Sequence, residues 1–187
     1  MTDGTPQAPC TPSASYSDAV RARVLLAHEA CELAELARAA VPIGAHEVRP
    51  NGTVRSPGAA LADAVQLLAA ARHLLDTAVV YERAGGASWR LVGAALGVPE
   101  QAARARFAPA ETRFRDALRA PEPRGGADWW RSHLLREPWE AARDLDDWVR
   151  RHADGDEDPG AAPVSGALAR AERAGSSRQG DRRGTGT

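Results

Sequence analysis

The chain has 187 residues, enough for one domain with tails, and 43% of them are hydrophobic. Aromatics make up only 5%, so the core is thin and helix-packed rather than bulky. A net charge of −1, with all 24 basic residues arginine, excludes a protein that coats nucleic acid through its overall field, and any DNA contact has to come from a local patch.

Residues 1–16 are rich in Pro, Ser, Thr and Ala and read as a disordered tail. The start, Met1-Thr-Asp-Gly-Thr-Pro, is too polar for a signal peptide, and no run of about 18 apolar residues exists to span a membrane. A cytoplasmic location is expected. A helical domain is expected over 17–119. Ser17 is placed to cap a helix running to about Ala40. Val20, Val24, Ala27, Cys31 and Ala34 form its inner stripe, and Leu26, Leu33 and Ala37 widen it. Arg21, His28, Glu29, Glu32, Glu35 and Arg38 form its wet side.

Residues 41–56 are a long connection. Asn51-Gly52 is a tight-turn signal, but Pro50 limits any hairpin to very short strands. Arg49 and Arg55 would make it a wing on DNA, against the simpler reading of a solvated loop. Ser56-Pro57 opens a second long helix, to about Ala84. Its expected buried stripe is Leu61, Ala64, Leu68, Ala71, Leu75, Ala78 and Val79, and Val65, Leu67 and Leu74 extend the apolar surface to more than one side.

Gly85-Gly86 leads into the most informative segment, residues 88–107. Ser88 caps a short helix in which Trp89, Val92 and Leu96 share a face. Gly93 lies inside that helix, at a normal cost of about 1 kcal/mol against alanine. A small residue is needed there if a second helix crosses closely above. Gly97 supplies the positive φ for a sharp turn. Val98 plugs the corner and Pro99 starts the next helix. Ala102, Ala103 and Phe107 face inward, while Glu100, Gln101, Arg104, Ala105 and Ala108 face outward. This is a helix-turn-helix, whose second helix can lie in the DNA major groove.

Through Ser88-Trp89, Val92-Gly93, Ala95-Leu-Gly-Val98, Gln101-Ala-Ala103 and Arg106-Phe107, the segment resembles the short helix-turn-helix proteins of actinobacteria. Through Leu96-Gly-Val-Pro99 and Ala103-Arg-Ala-Arg-Phe107 it is also similar to the promoter-reading fourth region of sigma factors. The resemblance spans roughly residues 83–118 and implies a DNA-binding function. Glu100 departs from it, because many relatives carry a basic or polar residue there. Its carboxylate repels phosphate but can accept from a cytosine amino group.

Pro109 is expected to interrupt or kink the recognition helix, with a further helix over about Ala110–Leu118. Arg113, Arg115 and Arg119 there, with Arg104 and Arg106, make a basic cluster suited to phosphate contact, offset by Glu100, Glu111 and Asp116, against the simpler reading of a mixed-charge solvated face. Residues 120–127 form a linker. Asp128 is expected to cap a Trp-rich helical hairpin over 128–153, with Pro138 starting its second helix. Trp139, Ala142, Leu145 and Val149 share a face. Trp129, Trp130, Trp139 and Trp148 either anchor the hairpin on the alanine-rich body or offer a surface to a protein partner. Residues 154–187 read as a second disordered tail with a basic end, Arg178, Arg182 and Arg183.

Catalytic and metal chemistry find little support. His28 and Cys31 are three apart on one helix, but no second ligand pair has zinc spacing. The other histidines are scattered, two cysteines make no disulfide framework, and a chain without lysine cannot build a phosphate loop. Asp146-Asp147 read as ordinary surface. No cofactor, metal or catalytic residue is expected. The expected fold is all-α: a helical bundle of two long helices, a helix-turn-helix, and a Trp-rich hairpin. The expected function is transcription regulation on double-stranded DNA through Glu100, Gln101, Arg104, Arg106, Arg113 and Arg115, with a homodimer as one arrangement. The alternative is a non-enzymatic protein-interaction module using the hairpin or the long helices.

Overall fold

The Ser17 hydroxyl accepts from the Val20 N–H at 3.3 Å and starts α1, Asp18–Ala39. A computed structural model describes residues 16–44, 47–120, 129–153, 155–156 and 158–170, with the backbone alone at Trp129. Residues 1–15 with Cys10, His46, the linker 121–127, the Asp128 cap, the Trp129 side chain and residues 171–187 with their arginines lie outside the described residues. Among the described residues the fold is all-α. After α1 come α2 (Ala59–Ala84), α3 (Trp89–Leu96), α4 (Glu100–Arg119), α5 (Trp129–Arg136), α6 (Pro138–His152) and a short α7 at 165–170. No described helix is long and apolar enough to cross a membrane.

Two hydrophobic cores share this frame. The larger joins Ala22, Val24 and Leu25 of α1 to Val80, Ala110, Phe114, Leu134, Leu135, Ala141, Ala142 and Leu145, so the hairpin α5–α6 packs into the body. The smaller is built from Val79, Val92, Ala103 and Phe107, with Leu75, Trp89 and Leu96 against it. Burial of aliphatic side chains, worth about 1.5–3 kcal/mol each, holds both.

Several expectations need correction. On α1, Glu29 is not on the wet side but 2% exposed, and its carboxylate takes an ion pair from Arg131 of α5. Arg131 also lies 3.2 Å from Nδ1 of His73. Burial pushes the Glu29 carboxyl above the usual carboxylate range, and Arg131 pulls it partly back. Arg21 is half-buried and donates to the Leu135 carbonyl. His28 is half-buried too, stacked on Trp130 at 5.0 Å.

α2 begins at Ala59, and Gly58 rather than Ser56 is its N-cap, at φ 94°. Its first half is uncovered: Leu61 is 70% exposed, Val65 59% and Leu68 51%. The Asn51-Gly52 turn forms with a single antiparallel bridge, Val48 to Val54. This loop precedes the start of α2, while the helix-turn-helix follows its end. Twenty-six residues of helix, about 39 Å, separate them, so Arg49 and Arg55 do not make a wing beside α4.

The tail expected from residue 154 does not hold for 158–170. Leu168 is 6% exposed in the larger core. The Asp146 carboxylate, 4% exposed rather than at the surface, accepts from the backbone N–H groups of Val164 and Ser165 at 2.7 and 3.0 Å, and from the Ser165 hydroxyl. Burial alone would raise its pKa, but these hydrogen bonds outweigh it and hold the carboxyl below the usual range.

Candidate nucleic-acid interface

The helix-turn-helix is assembled by local chemistry. Ser88 Oγ accepts from the Leu91 N–H at 3.2 Å and caps α3. Gly97 ends it at φ 68°, and the Val98 N–H closes the turn on the Gly93 carbonyl at 2.9 Å. Pro99 serves as the N-cap of α4, one residue earlier than a first-turn position. A Cβ on Gly93 would meet the Val98 carbonyl oxygen at 2.7 Å and the Glu100 backbone nitrogen at 3.2 Å. Both are backbone, so the turn itself would have to move. Gly93→Ala is therefore expected to destabilise the protein by about 1–3 kcal/mol, read as a lower urea midpoint, even though alanine is the better helix former. An unchanged midpoint would mean that the crossing is looser than described.

Val92, Ala103 and Phe107 are buried as the spacing predicts, at 5%, 0% and 1% exposure. Ala102 is exposed instead, and Val98, at 40% exposure, does not plug the corner. The Arg83 guanidinium covers the Trp89 ring at 4.5 Å and approaches the Glu111 carboxylate at 3.6 Å. Glu111 is buried and also pairs with Arg115.

α4 is one helix through Pro109, not two. Proline removes one hydrogen bond there, but Ala110 and Phe114 are packed in the larger core on its far side, so the helix continues. At 100° per residue, about 3.6 residues per turn, Ala103, Phe107, Ala110 and Phe114 fall on the inner side. Gln101, Ala105 and Thr112 are exposed on the outer side, with Ala108 partly so. With Arg104, Pro109 and Arg113 they line a shallow open groove.

The arginines flank this neutral strip. Arg104 and Arg115 lie along one border, and Arg106 and Arg113 along the other, about 180° away around the helix. Their free donors differ. Among the described residues Gln101 and Arg104 have no side-chain partner. Arg106 rests on the Phe107 ring at 4.8 Å, and Arg113 lies 3.9 Å from Asp76 at an exposed site. Arg115 is held by Glu111. Glu100 sits at the first residue of α4, where a negative charge is favoured by the helix dipole.

Trp130 and Trp148 of the hairpin turn to α1 rather than to this face. The Trp148 Nε1–H donates to Glu35 at 2.6 Å and Trp130 packs on His28, so both fasten the hairpin to α1. Trp139 is 39% exposed, although Ala142 and Leu145 on the same helix are buried. Cys31, beside them on α1, has its thiol pushed up by burial, with Glu35 and Glu32 adding to the effect. Sequence reasoning missed the Arg131–Glu29 pair and the Asp146–Ser165 cap. A signal for the second existed in Pro163, a helix-starting residue four positions after Pro159, followed by Leu168. No family model, curated protein or solved structure matches the chain.

Proposed function

We propose that the chain binds double-stranded DNA through its helix-turn-helix and acts in transcription regulation. The observation that carries this reading is the outer face of α4: small and neutral along its middle, arginine on both borders, and open to solvent. Small side chains let a helix approach base edges closely, and arginines at the borders reach the phosphates on either side. α3 would cross the backbone while the first half of α4 enters the major groove. Gln101 suits a bidentate contact with adenine, Arg104 with guanine, and Ala105 and Ala108 suit thymine methyl groups. Arg106 and Arg113 suit phosphate.

With a net charge of −1, non-specific affinity is expected to be weak. Genomic fragments retained by the purified protein, followed by fluorescence anisotropy on the enriched site, test the proposal. Arg104→Ala is expected to weaken binding to that site by about tenfold or more and to relax base preference at one position, in line with the roughly 1–3 kcal/mol of a bidentate base contact. Enrichment of no site, or an Arg104→Ala protein with unchanged preference, would contradict it.

A further inference from the structure

We infer that the open half of α2 is a self-association face that pairs with the same face of a second copy of this chain. Leu61, Val65, Leu68, Arg72, Leu75 and Val79 follow one another at spacings of four and three along a single side of α2. The helix-turn-helix covers the end of this stripe, where Leu75 packs against the core containing Val79. Nothing among the described residues covers its beginning.

The exposed apolar surface is concentrated there. Val41 at 76%, Ile43 at 80%, Val48 at 51% and Val54 at 56% join Leu61, Val65 and Leu68 at the loop end of α1–α2. The open area of these seven residues sums to roughly 700–800 Å², of which Leu61, Val65 and Leu68 on α2 supply roughly 300 Å². The sum is close to the roughly 800 Å² that each partner gives to a standard interface.

The chemistry of the face selects the occupant. Leucine and valine at alternating four–three spacing form the seam by which helices of like sequence pack knobs into holes. Residues 41–80 contain no Trp, Phe or Tyr, and their arginines Arg49, Arg55 and Arg72 are balanced by Glu47, Asp63 and Asp76, so the strongly basic face of a membrane-surface helix is missing. Interfaces between identical chains are the more apolar class, which suits a face of leucine and valine. On the seam itself Arg72 is the charged residue, at its inner end, so apolar side chains meet apolar side chains across a two-fold axis near Val65 and Leu68.

The inference is independent of DNA binding, and its test contains no DNA. Light scattering on the size-fractionated full chain at micromolar concentration is expected to give twice the 19.8 kDa chain mass. Val65→Glu and Leu68→Glu, both outside the cores, are expected to run at the chain mass with unchanged helical circular dichroism. In a background with both native cysteines replaced by serine, Leu68→Cys is expected to form a covalent dimer on mild oxidation. A wild-type chain that stays at 19.8 kDa up to ~100 μM, or Glu variants that remain dimeric, would overturn the inference. So would a monomer that floats with lipid vesicles, since the face would then belong to a membrane surface.

Discussion

Arg131→Ala is expected to destabilise the protein by about 3–5 kcal/mol, because it leaves the Glu29 carboxylate buried without its counter-charge. The loss comes less from the attraction removed than from the desolvated charge left behind. Replacing both partners, as in Glu29→Gln with Arg131→Met, is therefore expected to cost less than Arg131→Ala alone. The pH dependence has a definite sign. Burial raises the Glu29 pKa in the folded protein above its ordinary value of 4.5. A carboxyl shifted upward favours the folded state when protonated. Its contribution is complete below that ordinary value and is lost as pH rises through the folded one. Removing Arg131, which pulls the carboxyl down, widens this window. The stability gap between wild type and Arg131→Ala is thus expected to be largest near neutral pH and to narrow as pH falls toward about 4.5. Asp146, shifted the other way, contributes equally to both proteins and cancels in the difference. Urea titrations at several pH values measure the gap, and a constant gap would place the Glu29 proton outside this account.

Phe107→Ala is expected to be as damaging, about 3–5 kcal/mol, and more local in its effect. Phe107 is 1% exposed and is the largest side chain of a core that otherwise holds Val79, Val92 and Ala103. That core fixes α3 and the first half of α4 on α2, with Arg83 over the Trp89 ring as a further contact. The larger core, with Ala22, Val24 and Ala142 at its centre, does not contain Phe107. Hydrogen exchange is accordingly expected to accelerate in residues 89–107 of the variant well before α1 and α6 lose protection. Phe107→Leu keeps most of the volume and is expected to cost less than half as much. Uniform loss of protection across the chain would show that the two cores unfold as one.

What the sequence disclosed was chiefly local. Ser17 and Ser88 reveal helix starts because a cap needs only its own first turn. Gly93 and Gly97 reveal the crossing and the corner because no other residue suits both places. The outward set Gln101, Arg104, Ala105 and Ala108 follows from helical periodicity once Phe107 is known to be buried. Long-range pairings are different in kind. Glu29 looks like a wet residue until Arg131, 102 positions later, arrives beside it. Asp146 looks like surface until Val164 and Ser165 fold back on it. Pro109 looks like a helix end, because local strain is visible in sequence and the packing of Ala110 and Phe114 that overrides it is not. Leu61, Val65 and Leu68 were legible as an apolar stripe, but periodicity shows which side is greasy and not whether anything lies upon it.

The unbroken course of α4 has a mechanical consequence. Gln101 and Phe114 sit on one rod, thirteen residues or about 20 Å apart, with one at the outer tip and the other wedged in the body. Over that length a tilt of about 6° at the wedged end would swing the tip by about 2 Å, and the packing of Ala103 and Phe107 opposes it. Phe114 and Gln101 are thus coupled through the smaller core between them, and a displacement at one end reaches the other only if Ala103 and Phe107 move against α2 and α3.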